Sequence, residues 1–481
     1  TGGVSYSWDN GLGATATVSV GAPELYTVTV TAANGCSDTE SLNITTDGST
    51  PSVAIINNTG TAELTCTTTS IALSGSSTTP GATFAWVASY GGNIALASEL
   101  IANDGDIYWN GTYVQPAEFD EKAMLPDNSY VRDIWMNGYR INNQANIILA
   151  SLSVVTNAND KSRLEGEAKF LRGLVYFDLG RLFSKPYVAG ATNNQLAVPV
   201  ILTPTLDPNN ISYPSRNTLE QVYTQVIADL TSAYNLLPAS NGIYANKYVA
   251  AALLARVYLD KGDYDNARTM ANIVIRDSEA SLTSTFAKAF NNSENSSEDL
   301  FAWQVTSQDA SSNAFNTFWA GSDFGGRSGN PDVDVESQHW DIYDDPNHDE
   351  RADFFYEADW WCTTKWKGQF ANIPFIRLAE MYLIRAEANQ RKNTSVGATP
   401  LEDITTLRDR SGASALSSVD LDEILMERRR ELSFEGFALF DAKRLGRSVG
   451  SIPSNSSRLV MPIPLRELDA NPNLVQNEGY N

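Results

Sequence analysis

The sequence predicts a mainly α-helical body of paired helices with loop-rich insertions, preceded by a β-sandwich-like N-terminal segment. Two observations carry this expectation. Residues 1–87 alternate with period two in Thr, Val and other strand-forming residues, whereas apolar residues from about 128 onward recur at three- and four-residue spacing. Composition shifts along the chain too, because no Lys or Arg precedes Lys122 although the chain carries 34 of them. The chain therefore divides into a β-rich part, 1–87, and a helical body, 88–481.

Bulk properties narrow the function classes. Hydrophobic residues make up 42% and charged residues 19% of the 481, the balance of a folded globular chain. A formal charge of −23 argues against nucleic acid as a partner, since phosphate contacts need clustered cations. No apolar run reaches the roughly 18–20 residues of a membrane-spanning helix; the best, Ile147 to Val155, is broken by Ser151 and Ser153. No secretory signal sequence opens the chain, so an exported protein would have had it removed. Three cysteines (Cys36, Cys66, Cys362) and two histidines (His339, His348) lack the spacing of a zinc site. A Cys36–Cys66 bridge would suit an extracytoplasmic location.

In the β-rich part, TATVSV (15–20) and LYTVTVTA (25–32) read as antiparallel strands, with Asn10-Gly11 and Asn34-Gly35 as tight turns. The order Trp8, Tyr26, Cys36 resembles immunoglobulin-like or PKD-like modules of bacterial adhesins. A second copy starts at LTCTTTSIALSG (64–75), reaches FAW (84–86) and stops. The junction with the helical body thus reads as a composite stretch, with a natural fusion as the alternative.

In the body, Asn217 or Thr218 can cap a helix carrying Leu219, Val222, Val226 and Leu230 on one face. In YVAAALLARVYLDKGDYDNARTMANIVIRDS (248–278), Ala251, Ala252, Ala255 and Tyr258 form a small-residue stripe. Gly262-Asp263-Tyr264 turns the chain, and Ala267, Ala271 and Val274 supply the returning face. This unit resembles a tetratricopeptide repeat, and similar halves occur at 165–183 and 377–391. Near the C-terminus, Asp420 with Glu423 reads as a capping box. Glu427 with Arg430, and Arg428 with Glu431, are spaced as ion pairs across a turn, each contributing only about a few tenths of a kcal/mol if exposed.

ERRRELSFEGFALFDAKRLGR (427–447), MPIPLRELDANPNLVQNEGY (461–480) and IPFIRLAEMYLIRAEANQR (373–391) together resemble the C-terminal half of the SusD-like (RagB/SusD) family of Bacteroidetes. That resemblance implies a nutrient-binding lipoprotein on the outer face of the outer membrane, capping a SusC-like TonB-dependent transporter. It also implies an anchoring N-terminal cysteine and a first helix, neither of which this sequence shows. Some family members bind peptides instead of glycans. A surface adhesin, acting through residues 1–87, is the third reading.

No nucleophile elbow, zinc-protease motif, phosphate-binding loop or dinucleotide fingerprint is present, so catalysis is not expected. No cofactor is expected beyond Ca²⁺, for which Asp332, Asp334, Asp341 and Asp344 are the candidate carboxylates in an acid-rich run that lacks EF-hand spacing. His339 and His348 read as surface or packing residues. Aromatic residues among polar neighbours are the better lead, because a ring can stack on a sugar's C–H face while amides and carboxylates take its hydroxyls. In the SusD-like family the ligand loop follows an ELxxxD segment, here Glu99-Leu100 and Asp104. By that resemblance Asn103, Asp104, Tyr108, Trp109 and Asn110 are first candidates. Trp319, in the Gly-flanked FNTFWAGSDFGG, is the second platform, and Trp360 with Trp361 the third. Trp135 and Trp303 are assigned to the core.

Overall fold

The computed structural model describes residues 5–9, 14–15, 25–32, 34, 36–43, 53–57, 73–77, and 92–480 apart from 208–210 and 306–313. The chain separates into two units, Thr1–Thr83 and Phe84–Asn481.

In the first unit, β1 (Ser5–Trp8), β2 (Leu25–Thr31) and β3 (Ser37–Asn43) form an antiparallel sheet with β2 in the centre. Thr29 stands opposite Ser7 on one side and Thr39 on the other. The expected turn at Asn34 is present: its side-chain oxygen accepts the Cys36 N–H at 3.1 Å. A separate two-stranded ribbon pairs β4 (Val53–Asn57) with β5 (Leu73–Ser77). The described residues of this unit give one three-stranded sheet and one ribbon, which do not by themselves establish the expected β-sandwich. Cys36 carries a free, exposed thiol. Cys66, the Asn10-Gly11 turn and the junction at 84–91 lie outside the described residues.

The second unit is helical where periodicity predicts it. After α1 (Ile94–Ile101) and α2 (Val114–Asp120), long helices follow: α3 (Ser129–Ser151), α4 (Ala158–Phe183), α5 (Leu219–Leu236), α6 (Lys247–Lys261) and α7 (Tyr264–Asp277). Each packs on the next. Thr218 and Gln221 make a reciprocal capping box at the start of α5. Gly262 ends α6 at φ 76°, a left-handed position glycine takes without penalty, and Asp263 caps α7. The buried face of α7 consists of the expected Ala267, Ala271 and Val274.

The second part of the unit is less regular. β7 (Asp299–Trp303) pairs with β11 (Ile373–Arg377) across a bulge. Between them lie α8 (Ala314–Trp319), β8 (Val333–Val335) and the hairpin β9 (Phe355–Glu357) with β10 (Trp361–Thr363). β8 pairs back to β6 (Ile107–Trp109). The chain ends with α9 (Leu378–Lys392), α10 (Pro400–Ser411), α11 (Leu421–Leu432), α12 (Ala438–Arg444) and α13 (Leu465–Ala470). Among the described residues no helix is long and apolar enough to cross a membrane. Trp135 is buried on α3, and Trp303 packs on Phe301 and Phe375.

Paired charges lock the helices to one another. Arg172 on α4 grips Asp229 on α5 through two hydrogen bonds of 2.8 and 2.7 Å and also reaches Asn146 on α3. Arg256 on α6 holds Glu380 on α9, and Arg385 on α9 holds Asp403 on α10, in the same fork geometry. The ion pairs read from α11 need correction. Glu427 does meet Arg430 at 3.0 Å, but Arg428 turns to Asp441, and Glu431 meets Arg377, Arg410 and Arg351 instead. These groups are buried, not exposed, so the few-tenths estimate does not apply. Asp420 caps the Glu423 N–H, while the Glu423 carboxylate bonds Arg430 rather than closing the box.

Candidate functional site

The loop after α1 is built by Asn103. Its side-chain amide donates to Ile107 O at 2.6 Å and to Asp120 Oδ1 at 2.7 Å, and its oxygen accepts the N–H groups of Gly105 and Ile107. Both side-chain polar atoms of Asn103 are thereby used to shape the turn into β6, so the residue positions the loop. Asp104 is exposed, and its carbonyl accepts from Gln338.

β6 then alternates. Ile107 and Trp109 point inward, whereas Tyr108 is 54% exposed. Trp109 is 6% exposed, its indole N–H donates to Tyr113 O at 3.2 Å, and its ring lies 5.8 Å from Phe318. A Cβ at Gly111 would stand 2.3 Å from the Trp109 ring, so the chain closes directly over it. Trp109 is therefore a core residue, which corrects its expected role as a platform. Trp319 is corrected likewise. It ends α8 rather than lying in an open loop, it is 1% exposed, and it packs 5.3 Å from Phe434. In both segments polar and glycine neighbours mimic a loop, but the β6–β8 pairing and the short helix bury the ring.

The structure joins two other candidates. Tyr108 stands directly opposite Asp334 in the β6–β8 pair, and directly opposed residues share a sheet face. The Asp334 carboxylate accepts the backbone N–H of Trp361. Trp361 is 44% exposed and its ring meets Trp340 edge-on at 5.5 Å. Trp360 is half-buried and tied by its indole N–H to Pro331 O at 2.9 Å. Asn110 is exposed beside Asp332, whose carbonyl takes its N–H. Next to it Tyr113, 42% exposed, carries the Arg327 guanidinium 4.2 Å above its ring. The exposed Tyr108 ring thus shares its sheet face with Asp334, whose carboxylate holds the backbone of the strand that carries the exposed Trp361. Burial and then Glu336 raise the pKa of Asp334. Trp340 and Tyr113 carry no sequence signal for this face, and Asp334 stood out only as a candidate Ca²⁺ ligand. The period-two VDV at 333–335 was the available signal, but its partner strand lies more than two hundred positions earlier.

Two of the four candidate Ca²⁺ ligands are engaged by arginines. Asp332 is held by Arg327, and Asp344 by Arg408 and Arg430. No cluster of three His, Cys, Asp or Glu residues suited to a metal occurs among the described residues. His339 is buried and His348 exposed.

Comparison with known proteins places this geometry. Residues 87–259 match the model of a family described as starch-binding and associating with the outer membrane, and residues 232–452 match the SusD family model. The chain belongs to the SusD family. The SusD-like protein P2 of Formosa agariphila is 26% identical over 462 residues, covering 81% of this chain and 89% of that protein. A SusD superfamily structure from Bacteroides thetaiotaomicron superposes with a TM-score of 0.68 at 26% identity, covering 82% of this chain and 98% of that one. A laminarin-binding SusD-like protein shares the fold at 22% identity and a TM-score of 0.64, with 82% and 98% covered. Both family matches begin at residue 87 or later, so they lend no support to the immunoglobulin-like or PKD-like reading of 1–87.

Proposed function

We propose that this SusD-family protein captures oligosaccharide on the extracellular face of the outer membrane and passes it to a SusC-like TonB-dependent transporter. The observation that carries the reading is the Tyr108–Asp334–Trp361 face. Two exposed rings offer apolar surfaces to a sugar's C–H faces, and the Asp334 carboxylate on the Tyr108 face accepts hydroxyl hydrogen bonds. Asn110 and Tyr113 extend the face, and the buried Trp109 beneath fixes its backbone. The laminarin-binding relative and the starch-binding family description support glycan as the ligand class. The protein binds without catalysis, needs no resident metal, and is held to the membrane by a lipid anchor.

A screen of laminarin, starch and other polysaccharides against peptides, by affinity electrophoresis and calorimetry, tests the reading. Tyr108→Ala and Trp361→Ala should each weaken the best glycan by roughly three- to tenfold with unchanged thermal stability. Undiminished affinity in both variants would reject this face as the site. Tight peptide binding with no glycan binding would favour the peptide-carrying alternative.

A further inference from the structure

Asn-Gly pairs are chemically fragile, because glycine leaves its backbone nitrogen open to attack on the preceding side-chain amide. The helical body has three: Asn110-Gly111, Asn137-Gly138 and Asn241-Gly242. The fold treats them differently. Asn137 and Gly138 lie inside α3, where the helix fixes the backbone and Gly138 is buried, and the Asn137 side chain accepts from Arg140 at 3.1 Å. Asn241 is held by its own amide, which donates to Glu167 Oε1 and to Ala245 O, both at 2.8 Å. At either pair the amide carbon reaches the next nitrogen only after local opening, and the cost of that opening slows the reaction.

Asn110 escapes both restraints. Its backbone N–H is fixed to Asp332 O at 2.7 Å, next to the β6–β8 pair, but its exposed side chain has no hydrogen-bond partner among the described residues. The Gly111 N–H has none among them either. Position 111 also admits only glycine, since a Cβ there would stand 2.3 Å from the Trp109 ring and 2.7 Å from Asp332 Oδ1. The buried Trp109 thus imposes on the loop the one residue that leaves the nitrogen uncovered.

We propose that Asn110-Gly111 is a self-modifying site, at which the folded chain converts the amide beside Tyr108 into a carboxylate. The Gly111 nitrogen bonds to Cγ of Asn110, the Cγ–Nδ2 bond breaks, and the proton lost by Gly111 leaves with Nδ2 as ammonia. Water, the only co-reactant, then opens the resulting succinimide at either carbonyl. Breaking the bond from the Gly111 nitrogen to Cγ gives aspartate. Breaking its bond to the main-chain carbonyl carbon gives isoaspartate, with the chain rerouted through the side chain and lengthened by a methylene. Either product places a new negative charge next to Asp332, whose own carboxylate already takes the Arg327 guanidinium. Isoaspartate also lengthens the chain where it closes over Trp109. The chemistry does not depend on what the outward face binds.

Site-resolved peptide mapping of the full chain, incubated at neutral and at mildly alkaline pH, tests the proposal, with isoaspartyl methyltransferase labelling to separate the two products. In the folded protein Asn110 should deamidate at least about tenfold faster than Asn137 or Asn241. Its rate should climb with pH, because the attacking nitrogen must lose its proton. In denaturant the three rates should converge to within about threefold, since the same Asn-Gly chemistry then runs without the fold. Asn110→Gln, at an exposed position and with a side chain that closes the ring far more slowly, should abolish acid formation at this peptide on the same timescale. An intact Asn110, equal rates at the three pairs in the folded chain, the same ranking in denaturant, or an unslowed gain of acid in Asn110→Gln would each overturn the proposal.

Discussion

Two seams in the helical body achieve burial by opposite means. Between α4 and α5 the contact is made by what is missing: Gly166, Gly173 and Gly180, seven residues apart, let Leu237, Leu230 and Val222 seat against the α4 backbone. Between α11 and the β7–β11 ribbon the contact is made by long charged side chains. Arg351, Lys365, Arg377 and Arg410 interleave with Glu298, Asp349, Glu431 and Glu435, and every one of them is buried. The first seam tolerates no added atom. The second tolerates no unbalanced charge, since a carboxylate in that interior is held ionised only by the guanidinium groups around it. The rows of fixed donors also set which carboxylate meets which arginine, and so fix the register of α11 against the ribbon.

Glu431 offers the largest break in this comparison. Its Oε1 accepts from Arg377 at 2.9 Å and Arg410 at 2.5 Å, and its Oε2 from Arg351 at 3.3 Å. Burial alone would raise its pKa, yet Arg410, Arg377 and Arg351 hold it far below the usual carboxylate range. Glu431→Ala strands three buried arginines and should lower stability by about 3–5 kcal/mol, read as a shift in guanidinium midpoint. A loss below about 1 kcal/mol, the value of an exposed pair, would show that water reaches the network and erase the contrast between the seams.

Glu99 sharpens the comparison because, among the described residues, no cation pairs with it directly and only the charge of Lys365 acts on it. It is 7% exposed, and burial raises its pKa to about 7, even though two backbone N–H groups favour the ionised form. Because the folded-state value lies above the unfolded one of 4.5, the stability linked to Glu99 is complete below about pH 4.5 and is lost as pH rises through about 7. Glu99→Gln keeps a carbonyl oxygen for the same two donors but cannot ionise. Relative to that variant, the natural chain should lose roughly 3 kcal/mol between pH 4.5 and pH 7.5. Parallel denaturation curves for the two proteins across that range would mean that the carboxylate is solvated.

The two seams also differ in how much of them the sequence disclosed. The α5–α6–α7 segment was legible because its apolar spacing, its Thr218 cap and the Gly262-Asp263 turn are local signals, each within one or two helical turns. The charged seam was not. ERRREL reads as a solvated face because nothing nearby in sequence reveals that Glu298, Arg351 and Arg377 converge on it from 54 to more than one hundred positions away. The candidate site divides the same way. Both rings of the 103–110 segment were expected to face a ligand, but which of them faces outward depends on pairing with β8, and only Tyr108 does.

Gly173 gives the smallest and most discriminating effect. Alanine is the better helix former by about 1 kcal/mol, so a solvent-facing glycine in α4 would gain stability on substitution. Here the added Cβ would stand 2.9 Å from both Cγ and Cδ2 of Leu230, a side chain that is itself fully buried. Overpacking of this kind costs about 1–3 kcal/mol, so Gly173→Ala should be destabilising by roughly 1 kcal/mol net. Leu230→Ala removes both atoms in conflict, and in that background the same substitution should become neutral or stabilising. Such a change of sign would be an interaction between the two positions, which a double-mutant cycle reads directly. If Gly173→Ala stabilises the natural chain instead, α4 and α5 stand farther apart than their glycine stripe implies, and the seam closes by side-chain packing alone.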